Sequence, residues 1–449
     1  MKNNLKKISA VLLAGALVSS QSFADTKSLE DRVSELEANQ SLNIFNFSGT
    51  FITRFDDITN ASQNTPNNAG SPAFSSKNLD YMRLKFQLNA DANVSKYIKF
   101  YSRFTTSKIF NSETVQGTAG STTTGDLGAA NAYQNSNVVL EKAYVDISIP
   151  DTALTVSIGR LPTVDGQPAN YLDGRARLGT YPLLAYNSYF DGIGLTYRLD
   201  QFMPADQKLA LRLLYTPLSQ TNMGIQGNEA YMSSPVSEAG GNISTEVPVY
   251  AAQADYSIDN TKIANNIGVV FQYIQTGKLY IPGAQVEVGQ PSSLMINFQQ
   301  MTLASEFNGI AGSPFDLSAS YLYSITGTHG NFGGLGGFGN ADGSSQNQTG
   351  GNLLLSARFR LPTWIFGAEY VNGSKNSEYT STAEQDLTNF YGTQGNAYHI
   401  YVTKKFSENV ALRIGFTEQK YNTTPLSIGA TGTSDRSIQT AYVNLRTDF

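Results

Sequence analysis

From about residue 45 onward, apolar and polar side chains alternate in runs of roughly 9–12 residues, the length of a tilted strand crossing a bilayer. Met82, Leu84, Phe86, Leu88 and Ala90 alternate with Arg83, Lys85, Gln87 and Asn89. Ile98, Phe100 and Phe104 alternate with Lys99, Tyr101 and Arg103, and Ala143, Val145 and Ile147 with Tyr144, Asp146 and Ser148. The same pattern recurs at Leu154–Ile158, Ile193–Leu199, Leu209–Leu213, Leu355–Phe359 and Val410–Phe416. A period of two places one face of each strand in an apolar medium and the other in water. The run Ala441–Phe449 keeps the pattern, with Thr447 its exception on the apolar side, and finishes on an aromatic residue.

The links between these runs alternate in length. Long ones fall near 57–78, 110–137, 161–187, 218–246, 278–292, 328–350, 374–395 and 420–436. Short ones fall near 91–95, 150–151, 200–206, 259–265, 308–314, 361–362 and 407–408. This sorting predicts about sixteen antiparallel strands, with short turns on one side and long loops on the other, as in a closed transmembrane β-barrel. A soluble sandwich has no reason to sort its loops in this way.

The N-terminal segment has a different texture. Lys2, Lys6 and Lys7 precede an apolar run from Ile8 to Val18, and Ser22-Phe23-Ala24 is a small-x-small site. That is the pattern of a secretory signal peptide over residues 1–24, cleaved near Ala24. The apolar run is too short for a spanning helix, which needs roughly 17–25 residues. In residues 25–43, Leu29, Val33, Leu36 and Gln40 stand at heptad-like spacing among Glu30, Arg32, Glu35 and Glu37. This predicts a short amphipathic helix, read either as a coiled-coil stub or as a lone tether. Residues 44–449 are then the barrel.

Composition narrows the function. The chain has 449 residues, no Cys, 40 Gly, 25 Tyr and 24 Phe. A soluble protein of this length would normally divide into two or three domains, yet no linker interrupts the strands. The net charge is −5, and loss of the signal-segment lysines makes the rest more acidic still. An acidic chain is a poor nucleic-acid partner. No disulfide framework or thiolate metal site is available.

Catalytic and cofactor chemistry is poorly supplied. Gly334-Leu335-Gly336-Gly337-Phe338-Gly339 satisfies the letter of a dinucleotide fingerprint. It lies in a long loop rather than between a parallel strand and a helix, so it reads as a flexible external loop. Of two histidines, His329 falls in a loop, and His399 shares a strand face with Tyr401 and Thr403 and reads as a polar lining residue. The expectation is no cofactor, no metal and no enzymatic activity.

The polar faces carry the more specific signal. Arg54, Arg83, Lys85, Lys99 and Arg103 on the first three strands, with Arg413 and Arg446 on the last two, form one basic wall if the barrel closes on itself. The third long loop runs from Gly159-Arg160-Leu161-Pro162 through Asp165, Tyr171, Asp173, Arg175 and Arg177 to Tyr181-Pro182, mixing charges with bulky apolar residues.

In strand number, signal peptide and terminal Phe449, the chain resembles the sixteen-stranded general porins of Gram-negative outer membranes. It is closer to porin-like members that carry a coiled-coil stub. The usual Pro-Glu-Phe-Gly-Gly motif of the third loop is missing, so the resemblance is one of architecture over residues 45–449. It implies a third loop folded into the lumen as a constriction. Asp165 and Asp173 would then face the basic wall, while Arg175 and Arg177 depart from a purely acidic loop. It also implies that Phe449 acts as a signal to the barrel-assembly machinery, that outer-membrane lipid surrounds the protein, and that a homotrimer forms. The expected function is passive diffusion of small hydrophilic solutes with mild anion preference. The alternatives are a substrate-specific channel for an anion or sugar, and a structural or adhesive surface barrel.

Overall fold

The computed structural model describes residues 45–61, 77–110, 138–173, 177, 179–185, 190–219, 223–226, 229–232, 246–277, 279–281, 294–329, 346–374, 377, 388, 390–422 and 437–449. The signal segment, the 25–43 helix, the glycine motif at 334–339 and Arg175 lie outside the described residues. The chain divides into two compact units, Met1–Asn46 and Phe47–Phe449. Only Phe45 and Asn46 of the first are described.

Sixteen strands make the barrel: β1 Phe45–Ala61, β2 Lys77–Asn93, β3 Ile98–Ile109, β4 Val139–Ser148, β5 Leu154–Leu161, β6 Phe190–Arg198, β7 Gln207–Ser219, β8 Glu246–Asp259, β9 Ala264–Thr276, β10 Leu294–Ile310, β11 Phe315–His329, β12 Gln346–Arg360, β13 Trp364–Gly373, β14 Gly395–Lys405, β15 Val410–Tyr421 and β16 Ser437–Asp448. Each pairs antiparallel with its sequence neighbour, and β16 pairs back onto β1 from Thr50↔Asp448 to Ala61↔Ser437. Closure removes every free sheet edge, which a bilayer requires. His329, expected in a loop, is instead the last residue of β11. Minor pieces decorate the long links: a hairpin of Met223–Gln226 with Glu229–Met232, and a short strand Leu279–Ile281 beside β10.

The seven short links fall within a few residues of the positions that the sequence pattern marks. Several place Asp151, Asn260 or Ala311 in the left-handed region (φ 58°, 54° and 50°), a conformation that Asp and Asn tolerate best among residues with a Cβ.

The barrel is apolar outside and polar inside. Leu355, Phe359, Phe366, Ile400, Ile414, Phe416, Val443 and Leu445 are exposed on the outer face. On the same strands Ser356, Arg358, Glu369, His399, Thr417 and Asn444 are buried on the inner face. Such a continuous apolar exterior suits a lipid solvent. Tyrosines pair outward on the long-loop side, Tyr215 with Tyr250 at 5.4 Å and Tyr370 with Tyr398 at 5.2 Å between ring centroids. Trp364 stacks on Phe366 near the opposite rim. Phe449 joins the closure: its N–H and C=O bond Gly49, and its ring stacks with Phe86 on the outer face.

Candidate functional site

The inner face of β1 to β4 holds the predicted basic residues, together with acids that the sequence reading did not include. Arg54 and Arg83 face inward and both donate to Asp56, through Nε at 2.7 and 2.6 Å. Asp56 and Arg83 are almost completely buried. A second cluster forms around Glu141, whose carboxylate accepts from Gln87 (2.9 Å), Thr105 (3.0 Å) and Arg103 (3.3 Å), with Lys85 at 3.8 Å. Glu141 reaches the lumen through a β-bulge. Arg103 pairs with Lys142 but Phe104 pairs with Leu140, so Glu141 is the extra residue and both charged neighbours point inward.

The remaining basic residues are spread along the same wall. The Arg54 guanidinium lies 3.9 Å from the Tyr442 ring centroid and that of Arg413 lies 5.8 Å from it. Arg446 donates to Asp448 and to Thr50. Lys99 is exposed near the short-turn end, opposite Asp146 in the register. Asp56, Glu141 and Asp448 interleave with these cations. Buried charges demand such partners, because desolvating an unpaired ion costs several kcal/mol.

The third long loop crosses the interior. After Leu161 the chain turns inward, and Asp165 pairs with Arg103 on β3. Asp165 sits in the left-handed region at φ 61°. Burial acts to raise its pKa, but Arg103, Lys142 and Lys85 outweigh burial and hold the carboxyl well below the ordinary carboxylate range. The loop then forms one turn of helix, α1 (Ala169–Asp173). Tyr171 of α1 is fully buried, and its hydroxyl donates to the Leu317 carbonyl of β11 at 2.9 Å, with Asn308 Oδ1 of β10 at 3.1 Å. Arg358 of β12 stacks over its ring at 4.2 Å and donates to the Asn170 carbonyl. Burial pushes the Tyr171 phenol well above its ordinary pKa.

β3 and β11 stand eight strands apart in a closed ring of sixteen, so Asp165 and Tyr171 contact opposite walls. The two legs of the loop are joined by Gly179 N–H to the Asp165 carbonyl (3.0 Å) and Leu183 N–H to the Gln167 carbonyl (2.9 Å). Gly166 and Gly179 permit this approach: a Cβ on either would fall within 2.5 Å of a carbonyl on the other leg. On the return leg, Leu183 and Leu184 pack with Leu322, Leu354, Val371, Phe390, Tyr391 and Ala397, and Tyr181 and Ala185 pack with Leu214, Val249, Ala251 and Ile274. Arg177 does not oppose the acidic tip. It donates to Gln167 and to Asp255 of β8, on the far wall, where Arg212 shares Asp255. Asp173 closes α1, and its side chain is outside the described residues.

His399 does face inward, as its strand parity indicates, but it belongs to a network. Its Nδ1 lies 2.7 Å from Glu369 and its Nε2 lies 2.8 Å from the Tyr442 hydroxyl. Tyr391, from the 3-10 turn Phe390–Gly392, donates to the same Glu369. This ties another long link to the inner wall of β13, β14 and β16. The neighbours of His399 are thus a carboxylate on Nδ1 and the Tyr442 phenol on Nε2; no serine, threonine or cysteine side chain is bonded to the ring among the described residues.

Residues 75–215 match a family described as a protein of unknown function (DUF3373). No curated protein matches the chain. Solved structures similar to it include the following two. Salmonella typhi OmpF in complex with daunomycin has a TM-score of 0.47 and 12% identity, covering 90% of this chain and 97% of that one. A loop L8 deletion mutant of OmpT, an outer membrane protein of Vibrio cholerae, has a TM-score of 0.45 and 8% identity, covering 91% of this chain and 100% of that one. The architecture is a closed barrel of sixteen antiparallel strands whose links alternate in length.

Proposed function

We propose that the protein is an outer-membrane channel through which small hydrophilic solutes pass by diffusion, with no enzymatic activity of its own. The carrying observation is a polar interior crossed by a loop pinned at Arg103 on one wall and at Asn308, Leu317 and Arg358 on the other. A loop held in this way narrows the lumen without closing the barrel wall, and the charges at its ends set selectivity. Asp165 is its acidic side. Arg54, Arg83, Lys85, Lys99, Arg103, Arg413 and Arg446 give mild anion preference, weakened by the acids among them. Phe449, seated on Gly49 at the closing seam, is the assembly signal.

The working unit is a homotrimer packed through the outer faces of β1 to β6. The outward tyrosines on the long-loop side, Tyr215, Tyr250, Tyr323, Tyr370 and Tyr398, lie on β7 to β14. At the corresponding rim of β5 and β6 stands instead a bidentate ion pair, Arg160 with Asp191, both bonds 2.7 Å. Headgroup-facing girdles favour amphipathic aromatics. A face with a charge pair in their place suits contact with protein.

Planar-bilayer recording tests these points together. The expected result is steady conductance linear in salt, lost at high voltage in three equal steps per insertion. Purified, folded protein that carries no current would overturn the channel in favour of a structural or adhesive barrel. Closure in one step would overturn the trimer.

A further inference from the structure

On the short-turn side of the Asp165–Arg103 contact, the inner wall of β3 and β4 carries an aromatic pair. Tyr101 and Tyr144 stand opposite each other in the register and share a face with Arg103 and Lys142. Their rings stack, with centroids 5.0 Å and planes 22° apart. Tyr144 is held from behind by the buried cluster of Leu161, Tyr181 and Ala185, where the crossing loop meets the wall. Tyr101 is half-buried, and as an inward-facing residue it shows its open part to the lumen. A ring held in place before a ligand arrives loses little freedom when one stacks on it.

A free acid and a free amine flank the rings. The β2–β3 register, with Asn89 opposite Arg103 and Ala92 opposite Phe100, sets Asp91 level with Tyr101. Asp91 lies within electrostatic reach of both phenols and of the Lys142 ammonium. Among the described residues, the Asp91 carboxylate, the Lys142 ammonium and the two phenol hydroxyls form no hydrogen bond or ion pair, and none of these atoms is closed to solvent. The neighbouring charges are engaged: Arg103, Glu141 and Asp165 bind one another, and Asp146 accepts from Ser157 with Lys99 and Arg198 nearby. Lys142 buries its stem and leaves its charge open, one row above the tyrosines.

We propose that this patch binds an aromatic α-amino acid as its zwitterion, with the ammonium on Asp91, the carboxylate on Lys142 and the ring on Tyr101. An α-amino acid carries both charges on one carbon, so an acid and an amine within reach of each other can meet both at once. A simple anion gains Lys142 but meets Asp91, with Glu141 and Asp165 close to Lys142. A simple cation gains Asp91 but meets Lys142 and Arg103. An aliphatic amino acid makes the charge contacts and lacks the stack. The inference rests on the channel reading, since it is the lumen that brings solute to the patch.

Titration calorimetry with L-phenylalanine on the folded protein in detergent tests binding apart from conductance. Saturable binding is expected, about tenfold tighter than that of phenethylamine, which lacks the carboxylate, or of 3-phenylpropionate, which lacks the ammonium. Asp91→Asn should weaken phenylalanine about tenfold without weakening 3-phenylpropionate, a split that general damage to the wall would not give. Tyr101→Leu should erase the advantage of phenylalanine over L-alanine, and it serves alone if Asp91→Asn fails to show the mobility shift of a folded barrel on an unboiled gel. No saturable binding by the parent protein overturns the proposal. So does binding of phenethylamine or 3-phenylpropionate as tight as that of phenylalanine, or phenylalanine binding that the folded variants leave unchanged. A protein that binds phenylalanine but carries no current sinks the channel and leaves the site standing; one that conducts but does not bind does the reverse.

Discussion

Asp165→Asn is expected to move the reversal potential in a salt gradient markedly toward anions. The substitution keeps the shape of the side chain and removes the loop carboxylate that meets Arg103, with Lys142 and Lys85 close by. At an effective dielectric of 20, unit charges 4 Å apart interact by about 4 kcal/mol, so one charge in a narrow lumen is not a small change. Glu141 still balances part of the cluster, which limits the shift to selectivity rather than to the fold. A reversal potential unchanged from the parent protein would mean that permeating ions do not pass this pair. The parent protein should itself favour anions mildly; a cation-selective parent would contradict the reading of the wall.

The same residue fixes a pH dependence. Its pKa in the folded protein lies below the unfolded value, so the folded state binds this proton less readily. The stabilisation it gives the docked loop is therefore complete above the ordinary carboxylate range and is lost as pH falls toward the lowered value. The pH dependence that Asp165→Asn removes should therefore lie below the ordinary carboxylate range, the other lumen carboxylates contributing equally to parent and variant. A difference between parent and Asp165→Asn that disappears within the ordinary range would mean that Asp165 is not held by its cations.

Tyr171→Ala should release the far end of the loop. The substitution removes a fully buried ring, its stacking under Arg358 and its hydroxyl contacts with the β10–β11 wall. Large-to-small changes at buried aromatic positions cost about 3–5 kcal/mol. Because the strands pair independently of the loop, the loss should fall on loop docking rather than on barrel closure. The expected signature is normal heat-modifiable migration, higher and noisier single-channel conductance, and new protease cleavage between 162 and 189. Tyr171→Phe, which keeps the ring and the cation–π contact, should show a smaller effect of the same sign. Quiet, parent-like conductance in Tyr171→Ala would place the far anchor elsewhere.

The strands were legible because a barrel in lipid repeats one simple rule, apolar out and polar in, sixteen times. The inward parity of Arg83 and Arg103 followed from that rule alone. Asp56 was equally legible, two residues from Arg54 and hence on the same face, yet counting cations alone passed over it. Glu141 carried a subtler sign: Leu140-Glu141-Lys142-Ala143 places two charges between two apolar residues, which breaks the period of two and marks the bulge. The far anchor could not be read. Nothing local to Tyr171 says that its partners lie some 140 residues away on β10 and β11, and nothing local to Arg177 says that it faces Asp255. Such pairings depend on the path of a loop through the lumen, and loop paths carry no periodicity. His399 shows the same division: its parity gave its direction, while Glu369 and Tyr442 became its neighbours only through the strand register.

The absence of cysteine from the sequence allows a direct test of the loop's position. A single cysteine at Asp165, on a side chain 29% exposed, would be modified in planar bilayers with a small sulfonate-bearing thiol reagent, with cysteine at Glu408, exposed in the short link between β14 and β15, as the control. If the loop crosses the conduction path, modification at 165 lowers single-channel conductance in discrete steps and modification at 408 does not. Confirmed labelling at 165 with unchanged conductance would contradict a lumen narrowed by this loop.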